Sequence, residues 1–190
     1  MKKIITFIFF LMTIVSFSED KNITLIKNLK LLVNEKTFVN NKATSKAYEV
    51  TYSLPDTLKK VMTEPKSHRG EIFIYKDNTK TVYLPIFDQV IKEDNIDEEN
   101  FLVETIKYFQ ENYKKSENFR KIYNSEKSFT VKKDNLVFDI LKMGEFNGYR
   151  LPTHLKIFDG KILLAELKIS DVIVNSLIKE SEFEIKWQKL

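Results

Sequence analysis

Ala47-Tyr48-Glu49-Val50-Thr51-Tyr52-Ser53-Leu54-Pro55-Asp56 is the stretch that decides the fold of this 190-residue chain. Tyr48, Val50 and Tyr52 alternate with Ala47, Glu49 and Thr51, the two-residue period of a strand with one buried face, and Leu54-Pro55-Asp56 breaks it. Downstream the period returns at residues 58–63, 71–76 and 81–84, separated by Glu64-Pro65-Lys66 and Lys76-Asp77-Asn78. It resumes at 128–132, 136–143, 149–158 and 161–169. The last pair is joined by Asp159-Gly160, a hairpin signal because both residues tolerate the positive φ of a type I′ turn. Lys133-Asp134-Asn135 and Asn147-Gly148 are turns of the same kind. Phe183, Ile185 and Trp187, alternating with Glu182, Glu184 and Lys186, predict a closing strand.

Two segments follow the helical period instead. Upstream, Ile23, Ile26, Leu29, Leu32 and Val33 recur at three- and four-residue steps, which predicts an amphipathic helix. Within 95–115, Phe101, Leu102, Thr105, Ile106 and Phe109 fall on one stripe. Asp97, Glu98 and Glu99 stand at its start and Lys114 and Lys115 at its end, each charge opposing the helix dipole favourably by about 0.3–1 kcal/mol. Residues 115–124 fit a short helix or a strand. No repeat, linker or low-complexity tract divides the chain, so the expectation is one α+β domain of meandering antiparallel sheet plus helices.

The N-terminus reads as a leader. Lys2 and Lys3 precede an apolar run from Ile4 to Val15, too short to span a bilayer, which needs about 20 residues. Ser16 and Ser18 suit a cut before Glu19, so residues 1–18 are a signal peptide, with an uncleaved anchor as the alternative, and 19–190 the domain. The expected location is outside the inner membrane, in the periplasm, as a soluble protein. With no Cys, disulfides, thiolate metal sites and an acylated lipoprotein Cys are excluded. The formal charge of +4 falls to +2 without Lys2 and Lys3, too little for a nucleic-acid partner. Asn22-Ile23-Thr24 matches a glycosylation acceptor.

Catalytic and metal chemistry finds little to stand on. His68 and His154 belong to no metal motif, and Gly70, Gly144, Gly148 and Gly160 form neither a phosphate loop nor a nucleophile elbow. The carboxylates between 94 and 99 lack the spacing of a calcium-binding hand and read as a helix start. Lys59-Lys60, Lys114-Lys115 and Lys132-Lys133 read as solvated faces. No catalytic residue, metal or cofactor is therefore assigned.

The positive signal is apolar. Phe73 and Tyr75 alternate with Ile72 and Ile74, so that strand is apolar on both sides and each face of the sheet needs a cover. Either the helices pack on the sheet as ordinary core, or the sheet curves into an incomplete barrel whose hollow a helix closes.

Several segments bear on that choice. Residues 48–56 look like a strand entering a Pro-containing turn. Glu71-Ile72-Phe73-Ile74-Tyr75-Lys76-Asp77, followed by Val82-Tyr83-Leu84-Pro85, looks like paired strands ending in a Tyr-x-Pro element. Arg150-Leu151-Pro152-Thr153, Asp159-Gly160, and Asn175 followed by Phe183 look like a closing section. With the order helix, strands, inserted helix, strands, these resemble the LolA-like family of periplasmic outer-membrane lipoprotein carrier and sorting proteins.

The resemblance implies a half-open antiparallel barrel covered by helices, which shields the acyl chains of a lipoprotein or another lipid. It implies inner- and outer-membrane transport partners and a monomer. Tyr48, Val50, Tyr52, Leu58, Met62, Phe73, Val82 and Leu84 are the candidate lining from the sheet, and Phe101, Leu102, Ile106 and Phe109 the candidate lid. Carriers of the family place an Arg before the Pro of the early turn to latch the lid. Here that residue is Leu54, with Arg69 and Arg120 as the available substitutes. Two rival readings remain: an envelope sensor of the same fold that regulates a membrane partner, and a small exported hydrolase using His68 or His154.

Overall fold

The computed structural model describes residues 21–40, 42–76, 79–94 and 101–185, the first four of the helix at 101 by their backbone alone. Residues 1–18, Asp97, Glu98, Glu99 and Trp187 lie outside it. Ten strands are present among the described residues: β1 Asn28–Val39, β2 Lys42–Ser53, β3 Thr57–Glu64, β4 Ile72–Lys76, β5 Thr79–Leu84, β6 Gln89–Asp94, β7 Phe129–Lys133, β8 Leu136–Phe146, β9 Tyr149–Asp159 and β10 Ile162–Val174. They form one antiparallel sheet in the order β6-β5-β4-β3-β2-β1-β10-β9-β8-β7. β6 and β7 do not pair with each other, so the sheet remains an open half-barrel.

The cross-strand register sorts side chains onto two faces. Leu29 pairs with Tyr52, Leu31 with Val50 and Val33 with Tyr48, and β3 continues these rows with Leu58, Lys60 and Met62. On the other side Leu167, Leu155, Ile140 and Phe129 form one row, and Ala165, Ile157, Phe138 and Val131 another. These residues point to the concave face, where most are buried. Two helices cover it: α1 Phe101–Lys115 and α2 Glu117–Ser125. The Ser116 hydroxyl caps α2 by accepting from the Phe119 N–H at 3.1 Å, which resolves 115–124 as mainly helical. Phe109 packs on Phe119, Tyr123 and Phe129, and Tyr108 stacks on Phe138. The Tyr123 hydroxyl donates to the Arg150 carbonyl, and the Arg150 guanidinium donates back to the carbonyls of Asn124 and Glu126, tying the end of α2 to β9.

The convex face has its own cover. Ile74 is 7% exposed there. Phe183 and Ile185 lie across β4 to β6 beside it. Lys59 donates to the carbonyls of Glu182 (2.9 Å) and Glu184 (3.1 Å), while Lys30 pairs with the Glu182 carboxylate and Lys76 with that of Glu180. The two-sided apolar character of β4 thus has two separate partners.

Several expectations are corrected. The helix predicted from Ile23 to Val33 is a short 3-10 turn, Ile23–Leu25, followed by β1. Leu29 and Val33 fit a helical period with Leu32 and a two-residue period with Leu31, and pairing with both β2 and β10 decides between them. Ile23 and Ile26 still enter the core, at 1% and 0% exposure. Over its described residues the closing strand is instead the end of a 3-10 turn, Glu180–Phe183, followed by an extended Glu184. In the Asp159-Gly160 hairpin Asp159 pairs with Ile162, so the turn residues are Gly160 and Lys161, with Gly160 at φ 56°. Asn147-Gly148 does take positive φ at both positions (51° and 83°), as a type I′ turn requires. β6 carries no apolar alternation that would have announced it: Gln89, Lys92, Glu93 and Asp94 leave only Val90 and Ile91 apolar.

Burial pushes the Tyr52 hydroxyl up from its ordinary 10.0 to about 12. Burial, then the Glu35 carboxylate that its hydroxyl donates to at 2.6 Å, raises Tyr48 further. A phenol whose pKa is higher folded than unfolded favours folding fully below pH 10 and loses that contribution as pH rises through the folded value. Tyrosinate absorbance of these two residues is therefore expected to appear together with loss of circular dichroism between about pH 10 and 12. Complete tyrosine ionisation near pH 10 with the dichroism intact would contradict this packing.

Candidate functional site

The concave face is apolar under α1 and mixed beyond it. Beneath α1 lies a cavity of about 30 Å³, bounded by Leu29, Leu31, Leu151, Leu155, Ile169 and Val172 of the sheet, Ile23 before it, and Thr105, Ile106 and Phe109 of the helix. A volume near that of one water molecule cannot hold an acyl chain. Ile106 (6% exposed) and Phe109 (1%) occupy the space such a chain would need, so the hollow is plugged by its own helix.

The helix is held down by a specific contact. The Gln110 side chain is buried, and its Nε2 donates at 3.1 Å to the carbonyls of both Ile23 and Ile26. Those carbonyls belong to the segment entering β1, so α1 is fastened to the N-terminal wall of the barrel. Asn175 fixes the same segment from the other side, accepting from the Lys27 N–H at 2.7 Å and donating to the Leu25 carbonyl at 3.0 Å and to the Tyr149 hydroxyl at 2.8 Å. The two Arg considered as latches do other work. Arg69 bonds the Thr63 carbonyl and Glu64, and Arg120 caps the C-terminal end of α1 through the carbonyls of Tyr113 and Lys114. Gln110 was missed because a lone Gln on a helix carries no signal until its partners are known.

The candidate lining residues fall into groups. Ile106 and Phe109 border the cavity under the helix. Tyr48, Val50, Tyr52 and Leu58 share the concave face beside it and are buried. Met62 and Phe73 border a second, polar cavity farther along that face. Val82 continues the row through Phe73, and Leu84 ends β5 opposite Gln89. The side chains of Phe101 and Leu102 lie outside the described residues. Sequence reasoning overlooked Leu29 and Leu31, assigned to a helix, and Leu151, Leu155, Ile169 and Val172, whose strands were recognised but whose concave face was not.

The histidines sit apart, each against a carboxylate. His68 Nδ1 lies 2.9 Å from Glu71, and His154 Nε2 lies 2.6 Å from Glu166. That hydrogen bond holds the Glu166 carboxyl below its usual range. Among the described residues there is no cluster of three metal-binding side chains and no helix long and apolar enough to cross a membrane.

No protein-family model and no curated protein matches the sequence. Solved structures do match the fold. A LolA superfamily protein of Nitrosomonas europaea is 12% identical, with a TM-score of 0.52 over 83% of this chain and 90% of its own. A DUF1329 family protein of Desulfovibrio piger is 11% identical, with a TM-score of 0.57 over 85% and 91%. A putative outer membrane lipoprotein-sorting protein domain of Vibrio parahaemolyticus is 9% identical, with a TM-score of 0.53 over 83% and 89%. The class defined by the open sheet and its helical cover is the LolA-like half-barrel. The chain adopts that fold, with α1 fastened by Gln110.

Removing the Gln110 amide takes this donor from the Ile26 carbonyl and leaves the Ile23 carbonyl with the Ile26 N–H at 3.3 Å, at a cost of about 1–3 kcal/mol. Gln110→Ala is therefore expected to lower the urea midpoint correspondingly and to speed amide exchange across α1 more than across β8 and β9. Uniform exchange in both elements would show that Gln110 does not fasten the helix.

Proposed function

We propose that the protein is an extracytoplasmic, non-enzymatic chaperone for acyl chains, exported by residues 1–18, which carries or sorts lipoproteins, or another lipid, between membranes. The observation that carries this reading is the plug: a concave apolar face built from β1, β9 and β10 is filled by Ile106 and Phe109 of a helix tied down by two hydrogen bonds. The fold shared with structures described as LolA superfamily and lipoprotein-sorting domains supports it.

The energetics suit reversible loading. Each methylene moved from water into the hollow contributes about 0.8 kcal/mol, so a dozen contribute roughly 10 kcal/mol. Lifting Ile106 and Phe109 into water costs about 1.5–3 kcal/mol each, and releasing the Gln110 bonds adds about 1 kcal/mol apiece. Before the cost of ordering the bound chain, the two sides lie within a few kcal/mol of each other, a balance that suits reversible loading. Tyr48, Val50, Tyr52, Leu58, Met62, Phe73, Val82 and Leu84 widen the apolar wall once α1 swings away, and inner- and outer-membrane partners supply and receive the cargo.

Native mass spectrometry of the protein purified from its own envelope fraction is expected to show bound lipid or lipoprotein. An apolar dye displaced by fatty acid from the wild-type protein should be displaced far less readily from Phe109→Glu, which puts a charge on the plugging stripe. Protein free of lipid in the first measurement, with unchanged competition in the second, would defeat the reading.

A further inference from the structure

The concave face changes character across its width. Leu31, Val50, Lys60, Phe73 and Val82 are successive cross-strand neighbours in one row. The β1 end of the row borders the apolar cavity. From β3 to β5 it borders a cavity of about 280 Å³, bounded by Lys46, Lys60, Lys80, His68 and Glu71, with Met62, Phe73 and Tyr75 as its apolar surface.

The lysines in this cavity are not placed as surface lysines are. Lys60, expected on a solvated face, lies on the concave side with its Nζ 4.2 Å above the Tyr48 ring and 5.8 Å from that of Phe73. Lys80 is only 8% exposed, with its Nζ 6.0 Å from the Phe73 ring and 3.7 Å from the Glu93 carboxylate. Glu71 is engaged by His68 at 2.9 Å, and Glu35, across from Lys46, accepts from the Tyr48 hydroxyl. Three lysines therefore border the space together with Glu71, and Glu93 pairs with Lys80 from beside it. An anion entering a partly desolvated hollow lined by ammonium groups is attracted more strongly there than in water. An ordinary core would place an apolar side chain between Val50 and Phe73, where Lys60 stands.

We propose that this cavity receives the anionic headgroup, a phosphate or carboxylate, of an amphipathic lipid whose tails take the adjoining hollow. The proposal rests on the acyl-chain reading above. From β1 to β3 is two strand spacings, about 10 Å, so one ligand spans both regions along the row through Val50. Lys60 and Lys80 hold the anion by charge-assisted hydrogen bonds, and Lys46 closes the outer side. The protein then selects for anionic lipids over neutral ones with the same tails.

The test compares dioleoylphosphatidylglycerol with dioleoylglycerol, identical in their tails, by displacement of a tail-bound fluorophore from the whole protein, with inorganic phosphate as a third arm. Wild type is expected to bind the anionic lipid at least about tenfold more tightly, with an affinity that falls as salt rises. Lys60→Gln/Lys80→Gln should abolish that preference without altering dioleoylglycerol binding, Lys60→Arg/Lys80→Arg should keep it, and Glu71→Gln should enlarge it. Should the double Gln variant not fold, the Glu71→Gln result decides. Equal binding of the two lipids, a preference that survives Lys60→Gln/Lys80→Gln, or a Glu71→Gln variant with no larger preference would overturn the headgroup site while leaving the acyl-chain reading standing. Inorganic phosphate binding as tightly as the anionic lipid would make this a free-anion site and overturn the proposal. Binding of neither lipid would bring down the acyl-chain reading and the headgroup site together.

Discussion

A curved sheet that is apolar on its inner face cannot be left uncovered, and the contact that meets this constraint is the packing of Ile106 and Phe109 against the wall made by β1, β9 and β10. Much else depends on it. Phe109 is also the hub for Phe119, Tyr123 and Phe129, so the plug and the seat of α2 are one cluster. Gln110, the next residue, converts that apolar contact into a fixed register by reaching the carbonyls of Ile23 and Ile26. Hydrophobic packing sets how strongly the helix is held, while two directional bonds set where.

This division of labour bears on the proposal that the helix gives way to an acyl chain. Apolar packing is non-directional, and a competing hydrocarbon can replace it at little net cost. A pair of hydrogen bonds opens at about 1 kcal/mol each once water reaches the carbonyls. The convex face is built differently. Phe183 and Ile185 cover Ile74, but ion pairs and lysine-to-carbonyl bonds from Lys30, Lys59 and Lys76 pin the segment, a cover for which no apolar competitor is needed. One face of the sheet is closed by a contact that hydrocarbon can replace, the other by polar anchors.

Lys60 shows how a charge pair along the chain can mislead. Lys59 and Lys60 are neighbours, yet the pleat sends Lys59 to the convex side to hold the C-terminal segment and Lys60 to the concave side over the Tyr48 ring. The alternation that revealed β2 from Tyr48, Val50 and Tyr52 contains the same information for β3. A lysine amid Leu58 and Met62 is easily discounted as a solvated tip, although its place in the register puts it on the buried face.

Much of the architecture was legible in the chain. The two-residue period announced eight of the ten strands, Asn147-Gly148 marked a tight hairpin, the stripe through Ile106 and Phe109 marked α1, and the doubly apolar β4 announced that both faces would be covered. β1 was legible as an element but not as a strand, because Leu29 and Val33 fit a helical period with Leu32 and a two-residue period with Leu31, and only pairing on both sides chooses. β6 was not legible at all, since it is a mostly polar edge carried by its ladder with β5. The amino-acid sequence by itself determined which stretches are apolar and with what period, because those are properties of neighbouring residues. Which face is concave, that β1 joins β10 to bring Leu31 beside Ile169 and Val172, and that Gln110 meets Ile23 and Ile26 were decided only by the tertiary structure. Each of these is a contact across scores of residues, and the local alternation is the same whichever way the sheet curves.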